Sequence, residues 1–284
     1  MTRMVPTAEK AFEVWGSPVE HSLSPALHQA AYRALGVPWS YRYREVSEEM
    51  ITTAWAGMDA ALSGISLTMP LKERAMDLVQ PRDSIVDTIQ AANTVYRSGD
   101  TWALSNTDPY GVDRALEKFG VDASHAWILG AGATARSVGY ALALRGTTDI
   151  TLCVRDVDRA ERTAHQLRNT GLGIQVQHFS DLDGAIPPQL VASTLPGTAG
   201  NLPEIPSNVV DSAALFDVAY SPWPSHYAHA WESSSQPVIS GLWMLSYQAV
   251  AQIRLFVNSD STQPLENEDT VFAAMVDAVG LSAE

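Results

Sequence analysis

Short apolar runs rich in branched and aromatic residues alternate along this chain with longer stretches whose apolar positions recur at helical spacing. Phe12-Glu13-Val14-Trp15 reads as a strand, Pro25 to about Leu35 as a helix, and Ser40–Glu45 and Gly64–Thr68 as strands. Pro70 ends the last of these, and a helix is expected from about Leu71. Asn93–Tyr96 and Thr101–Leu104 flank the turn Ser98-Gly99-Asp100 as a hairpin. A helix from about Tyr110 to Phe119 precedes the strand Trp127-Ile128-Leu129, a glycine turn, an alanine-rich helix to about Arg145 and the strand Asp149–Val154. That series is the first βαβ unit of a dinucleotide-binding fold. Strands at Ile174–His178, Val191–Ser193, Ala214–Val218 and Pro237–Ser240 would extend the same sheet. Leu242, Leu245, Ala249, Ile253 and Phe256 recur at helical spacing, and a last helix is expected near Asp269 to Val279. The whole pattern predicts an α/β protein with largely parallel strands.

Composition narrows the function classes. At 284 residues, 46% hydrophobic and 18% charged, the chain is globular and long enough for one large core or two ordinary ones. Its 18 basic and 32 acidic residues give a net charge of −14, a field that repels nucleic acid and anionic membrane surfaces. Cys153 is the single cysteine, so neither an internal disulfide nor a cysteine zinc framework is expected, nor any metal. A reducing, cytoplasmic location fits. Residues 1–10 contain no apolar signal region, and no apolar run nears the ~20 residues that span a bilayer.

In Gly130-Ala131-Gly132-Ala133-Thr134-Ala135, two glycines let backbone approach a pyrophosphate, and the following helix presents free amides to it. Ala135 takes the place of the third glycine of the G-x-G-x-x-G pattern, where a small residue still allows close packing. After the next strand, Arg155, Asp156 and Arg159 give mixed instructions: an acidic side chain suits the ribose hydroxyls of NAD, and arginines suit the 2′-phosphate of NADP. Asp156 or, more strongly, Asp158 also reads as the cap of the next helix.

Four further stretches join polar groups to backbone breaks: Gly16 to Pro25, Ser66 to Lys72, Ala92-Asn93-Thr94 and Ser105-Asn106-Thr107-Asp108. Ser22 and Ser24 place hydroxyls at a helix entry, where one of the two also reads as an N-cap. Lys72 lies just past a strand end, the kind of loop that lines an α/β crevice, although a surface lysine is the ordinary reading.

In order and spacing these stretches resemble the shikimate dehydrogenase family, whose pattern is G-x-P-x-x-H-S-x-S-P, N-V-T-x-P-x-K, N-T and N-T-D-G ahead of a glycine-rich cofactor turn. The likeness runs from about Val14 to Phe256 and includes Asp217–Pro222 and Gly241–Ala249. It implies two α/β domains. A shikimate-binding domain over 1–105 would be completed by C-terminal helices over 241–284 that pack back on it, with a Rossmann-type NADP domain over 106–240. The resemblance implies that Ser22 and Ser24 bind the substrate carboxylate, that Thr68, Asn93, Asp108 and Gln248 hold ring hydroxyls, and that Ser66 and Tyr220 also contact substrate. Lys72 and Asp108 would be the acid-base pair. Gly130, Ala131, Gly132, Ala133, Thr134, Arg155, Asp156, Arg159, Thr194 and Gly241 would bind NADP(H), with NAD as the other candidate. The implied reaction is reversible, NADP-dependent reduction of 3-dehydroshikimate to shikimate in aromatic amino-acid biosynthesis, by a monomer or homodimer. An NAD-dependent quinate or shikimate dehydrogenase, or a nucleotide-binding paralogue without turnover, is the alternative. The chain departs from the pattern at Ser66 (usually Asn), Ser105 and Pro109 (commonly Gly), Ala133 (frequently Gly), Val154 (Asn) and Asp156 (frequently Thr).

Overall fold

The computed structural model describes residues 9–197 and 202–281. Most of the opening segment, residues 1–8, lies outside them. The first elements are β1 (Lys10–Gly16), α1 (Ser24–Leu35), β2 (Trp39–Glu45), α2 (Ile51–Ala56) and β3 (Leu62–Leu67). They are followed by α3 (Leu71–Arg74), α4 (Ser84–Ile89), β4 (Thr94–Ser98) and β5 (Thr101–Ser105). Next come α5 (Asp108–Lys118), β6 (His125–Leu129), α6 (Ala133–Leu144), β7 (Asp149–Val154), α7 (Val157–Arg168) and β8 (Gly173–His178). The chain ends with β9 (Leu190–Ser193), α8 (Ser207–Val210), β10 (Ala214–Asp217), α9 (His226–Ala230), β11 (Val238–Ser240), α10 (Gly241–Asn258) and α11 (Glu268–Asp277). Two compact units result: one holds the chain up to Thr107 and again from Gln248, and the other is Asp108–Tyr247. Among the described residues no helix is long and apolar enough to cross a membrane.

The first unit is built on a five-stranded sheet, β2-β1-β3-β4-β5. β1 runs parallel to β2 and β3, whereas the β4–β5 hairpin is antiparallel, so this sheet is mixed rather than parallel throughout. Side chains alternate across β1. Phe12 faces a ring cluster with Tyr32 of α1, Trp39 and Phe256 of α10, its centroid 4.5 Å from that of Phe256. Trp15 faces the opposite core with Ile51, Ile65, Leu71 and Val86. Gly64 makes the first packing possible, because a Cβ there would lie 2.5 Å from the Phe256 ring.

In the second unit six strands lie in the order β11-β10-β9-β6-β7-β8, and every neighbouring pair is parallel. The order reverses between β6 and β9, the switch point outside which ligands bind in doubly wound sheets. Trp127, Leu129, Val191, Leu215 and Trp231 form much of its core. Gly139 lets α6 and α7 approach closely, since a Cβ there would meet Leu167 at 2.7 Å.

Candidate active site

In the first unit, polar side chains gather beyond the ends of β1 and β3 and along one face of α10. Ser66, the penultimate residue of β3, accepts from the Tyr41 hydroxyl at 2.7 Å and donates to Gln252 Oε1 at 3.0 Å. Gln252 Nε2 in turn donates to the Asn93 carbonyl (3.1 Å) and to Thr94 Oγ1 (2.9 Å). One helical turn earlier, Gln248 Oε1 accepts from Asn93 Nδ2 (3.1 Å) and Thr107 Oγ1 (3.2 Å). The i, i+4 spacing puts both glutamines on one face of α10, where they hold Asn93 by its side chain and its backbone. Asn93 Oδ1 also accepts from Thr107 N and Thr94 Oγ1. All of these side chains are buried, and burial holds the Tyr41 phenol well above its usual range, with its hydrogen bonds to Ser66 and Ser24 opposing.

Thr68 follows β3, its amide bound to the Trp15 carbonyl at 2.9 Å. Gly16 makes room for it: a Cβ at residue 16 would sit 2.3 Å from Thr68 Cγ2. Lys72 is half-buried in α3, and its carbonyl accepts from Ala92 N at 2.7 Å, tying the lysine to the residue before Asn93. Neither serine of Ser22-Leu23-Ser24 is an N-cap. Leu23 takes that position without a side-chain cap, and Ser24, buried, is the first residue of α1. Ser22 Oγ accepts from the Ser24 amide at 3.3 Å, so it serves one free helix donor from outside the cap position.

In the second unit a cleft of about 490 Å³ is lined by Gly130, Ala131, Gly132, Arg155, Asp156 and Arg159, among others. Gly130 has φ +107°, and a Cβ there would lie 2.7 Å from Thr194 Oγ1, so only glycine fits the turn. Thr194 binds the Leu129 carbonyl through both its amide (3.0 Å) and its hydroxyl (2.8 Å). Gly132 caps α6 with no side-chain partner, and Ala133 and Thr134 form the first turn behind it. Asp156, rather than Asp158, caps α7: its Oδ1 accepts from Arg159 N at 3.1 Å. It stands at the extended residue before the helix, where a carboxylate reaches the N3 amide, while Asp158 is already helical. Arg155 and Arg159 are exposed. Gly241 begins α10 and approaches the Val218 carbonyl so closely that a Cβ would lie 2.0 Å from it. Tyr220 is half-buried in the loop after β10. Asp217 anchors that loop, accepting from Ser225 Oγ (2.6 Å) and Ala219 N (3.1 Å). Asp108 is buried at the start of α5, one residue beyond Thr107.

Sequence reading missed Tyr41, Thr107 and Gln252 as members of the polar cluster. Gln252 follows Gln248 by one helical turn on α10, and that spacing is the signal that could have found it.

A family model of the shikimate dehydrogenase substrate binding domain matches residues 14–95. Shikimate dehydrogenase (NADP(+)) of Methanosarcina mazei is 35% identical over 280 residues, covering 91% of this chain and 95% of the relative. This chain belongs to the shikimate dehydrogenase family. Among solved structures of the family, that of Mycobacterium tuberculosis shikimate dehydrogenase has a TM-score of 0.80 at 34% identity, covering 94% of this chain and 99% of that one. The Thermus thermophilus enzyme, solved in complex with NADP(H) and shikimate, has a TM-score of 0.79 at 27% identity over 95% of this chain and 99% of its own.

Proposed function

We propose that this chain is an NADP-dependent shikimate dehydrogenase, reducing 3-dehydroshikimate to shikimate reversibly. The observation that carries this reading is the near full-length likeness to enzymes of that name, joined to the polar cluster around Asn93 and the glycine-turn cleft.

The second unit fits a dinucleotide. The cradle at Gly130 admits no Cβ, the twelve-residue helix α6 turns its amide end toward the cleft, and two exposed arginines that line the same cleft supply the cations a 2′-phosphate needs. Gly130, Ala131, Gly132, Ala133 and Thr134 would hold the pyrophosphate, with Arg155 and Arg159 on the 2′-phosphate and Asp156, Thr194 and Gly241 supporting the site. When bound, NADPH supplies the hydride that reduces the substrate ketone.

In the first unit, Ser22 and Ser24 take the substrate carboxylate, and Ser66, Thr68, Asn93 and Gln248 orient the ring hydroxyls; Tyr220, a residue of the second unit, is assigned as a further substrate contact. The Lys72 ammonium donates a proton to the ketone oxygen as it gains negative charge, and in the oxidative direction neutral Lys72 takes the hydroxyl proton. Asp108 is assigned to orient the lysine and a substrate hydroxyl. Following the absorbance of reduced nicotinamide with the purified chain tests the reading: shikimate-dependent reduction of NADP+ is expected, with NAD+ and quinate as poorer pairings. Absence of turnover in all four pairings would overturn it.

A further inference from the structure

Thr163 lies in the middle of α7, and its side chain is 2% exposed. A threonine in a helix interior ordinarily turns its hydroxyl back to the carbonyl one turn earlier. This one does not. Its Oγ1 donates instead to the carbonyl of Ala131, the middle residue of the Gly130-Ala131-Gly132 turn, at 2.7 Å. The close approach of α6 and α7 at Gly139 and Leu167 brings α7 within reach of the turn.

The consequence follows from the peptide plane. Ala131–Gly132 is a trans peptide, so the Ala131 carbonyl and the Gly132 N–H point in opposite directions. A carbonyl fixed toward α7 therefore turns the Gly132 N–H away from α7. Gly132 is exposed and lines the cleft, and it caps α6 with no side chain of its own to steer the turn. On the other side, Thr194 grips the Leu129 carbonyl by amide and hydroxyl. The two threonines clamp consecutive parts of the turn, one from α7 and one from the end of β9.

We propose that Thr163 is a positioning residue for the pyrophosphate of the dinucleotide: by holding the Ala131 carbonyl it presents the Gly132 amide to the phosphates in advance of binding. This rests on the reading of the cleft as an NADP site. Preorganised amides bind an anion without first reordering the turn, so loss of the hydroxyl weakens a ligand that carries a pyrophosphate and spares one that does not.

The test is isothermal titration of the full chain, as wild type, T163V and T163S, with NADPH, adenosine 2′-monophosphate and shikimate. T163V is expected to weaken NADPH about 3- to 10-fold, the worth of one hydrogen bond. Adenosine 2′-monophosphate, which offers a 2′-phosphate to Arg155 and Arg159 but has no pyrophosphate, should bind as before, and so should shikimate. T163S, which keeps the hydroxyl, should restore NADPH affinity; if T163V does not fold, T163A carries the same comparison. Unchanged NADPH affinity without the hydroxyl, or equal weakening of NADPH and adenosine 2′-monophosphate, would overturn the assignment. A wild-type chain that binds adenosine 2′-monophosphate and NADPH alike fails it too, whereas one that binds neither overturns the cofactor reading itself.

Discussion

Lys72 carries the acid-base assignment, and its placement shows what the rest of its unit contributes. A four-residue helix holds its backbone, and the bond from Ala92 N to its carbonyl couples it to the strand end that positions Asn93. With the substrate grip assigned to the serines and Asn93, Lys72→Ala should lower kcat by about 10² to 10⁴ while KM for shikimate changes little, the signature of a group used mainly in the transition state. Steady-state kinetics on the folded variant check this, and near-normal kcat would refute the assignment. His28 supports a second prediction. Its Nδ1 donates to the Ser24 carbonyl at 2.9 Å, its ring stacks on Tyr41 at 4.0 Å, and its buried Nε2 has no partner among the described residues. Burial lowers its pKa from 6.5 to about 4, with the Ser24 bond opposing. Between those values the unfolded chain binds a proton that the folded chain refuses, so this group's contribution to stability falls as pH drops through the window. The slope is about 1.4 kcal/mol per pH unit. Denaturant titrations should show His28→Gln less stable than wild type at pH 7, with the gap narrowing by about 3 kcal/mol toward pH 4. A gap independent of pH would contradict it.

At the scale of elements, what the sequence made legible depended on length. β7 falls where its short run of apolar and branched residues put it, and α1, α6 and α10 lie within a few residues of their periodic patterns. The helices α2 and α4, at six residues each, escaped because two buried positions apiece define no period. For α4 the Asp83 cap, accepting from Val86 N at 2.8 Å, was the available signal. The glycine turn and the polar stretches were legible as motifs. The links among them were not, because the Tyr41–Ser66–Gln252–Thr94 chain joins residues far apart in sequence through tertiary packing alone. The cap of α7 is the instructive miss. Asp156 does at this position what a threonine would also do, accepting from an N3 amide, but it adds a negative charge to a cleft assigned to a 2′-phosphate. Asp156→Thr should therefore keep the helix intact and raise kcat/KM for NADP+ relative to NAD+ by about 3- to 10-fold, the effect of removing one like charge across a solvated gap. Paired kinetics with both cofactors decide it: an unchanged ratio would show that the cap holds the carboxylate out of play.

For the molecule as a whole, the first unit is discontinuous in sequence, and its last part supplies structure that nothing upstream replaces. Phe256 fills the ring cluster on Phe12, occupying space kept open by Gly64. Gln248 and Gln252 satisfy the buried amide, hydroxyl and carbonyl groups of Ser66, Asn93, Thr94 and Thr107. α11 packs on α1, and Arg254 of α10 pairs with Glu268 of α11 through its Nε at 2.8 Å. Ending the chain at Tyr247 removes all of this at once. It would expose the Phe12 face of the sheet and break the hydrogen bonds of several polar groups buried beneath α10, a loss comparable with the roughly 5 to 15 kcal/mol by which domains are typically stable. The second unit, Asp108–Tyr247, keeps its own six-stranded sheet and core in such a truncation. The truncated chain should accordingly lose shikimate binding and the cooperative transition of the first unit while still binding NADPH. Calorimetric unfolding together with separate titrations of the two ligands would show the split, and a truncated chain that retained shikimate affinity would mean that residues 9–107 form the substrate site without the C-terminal helices.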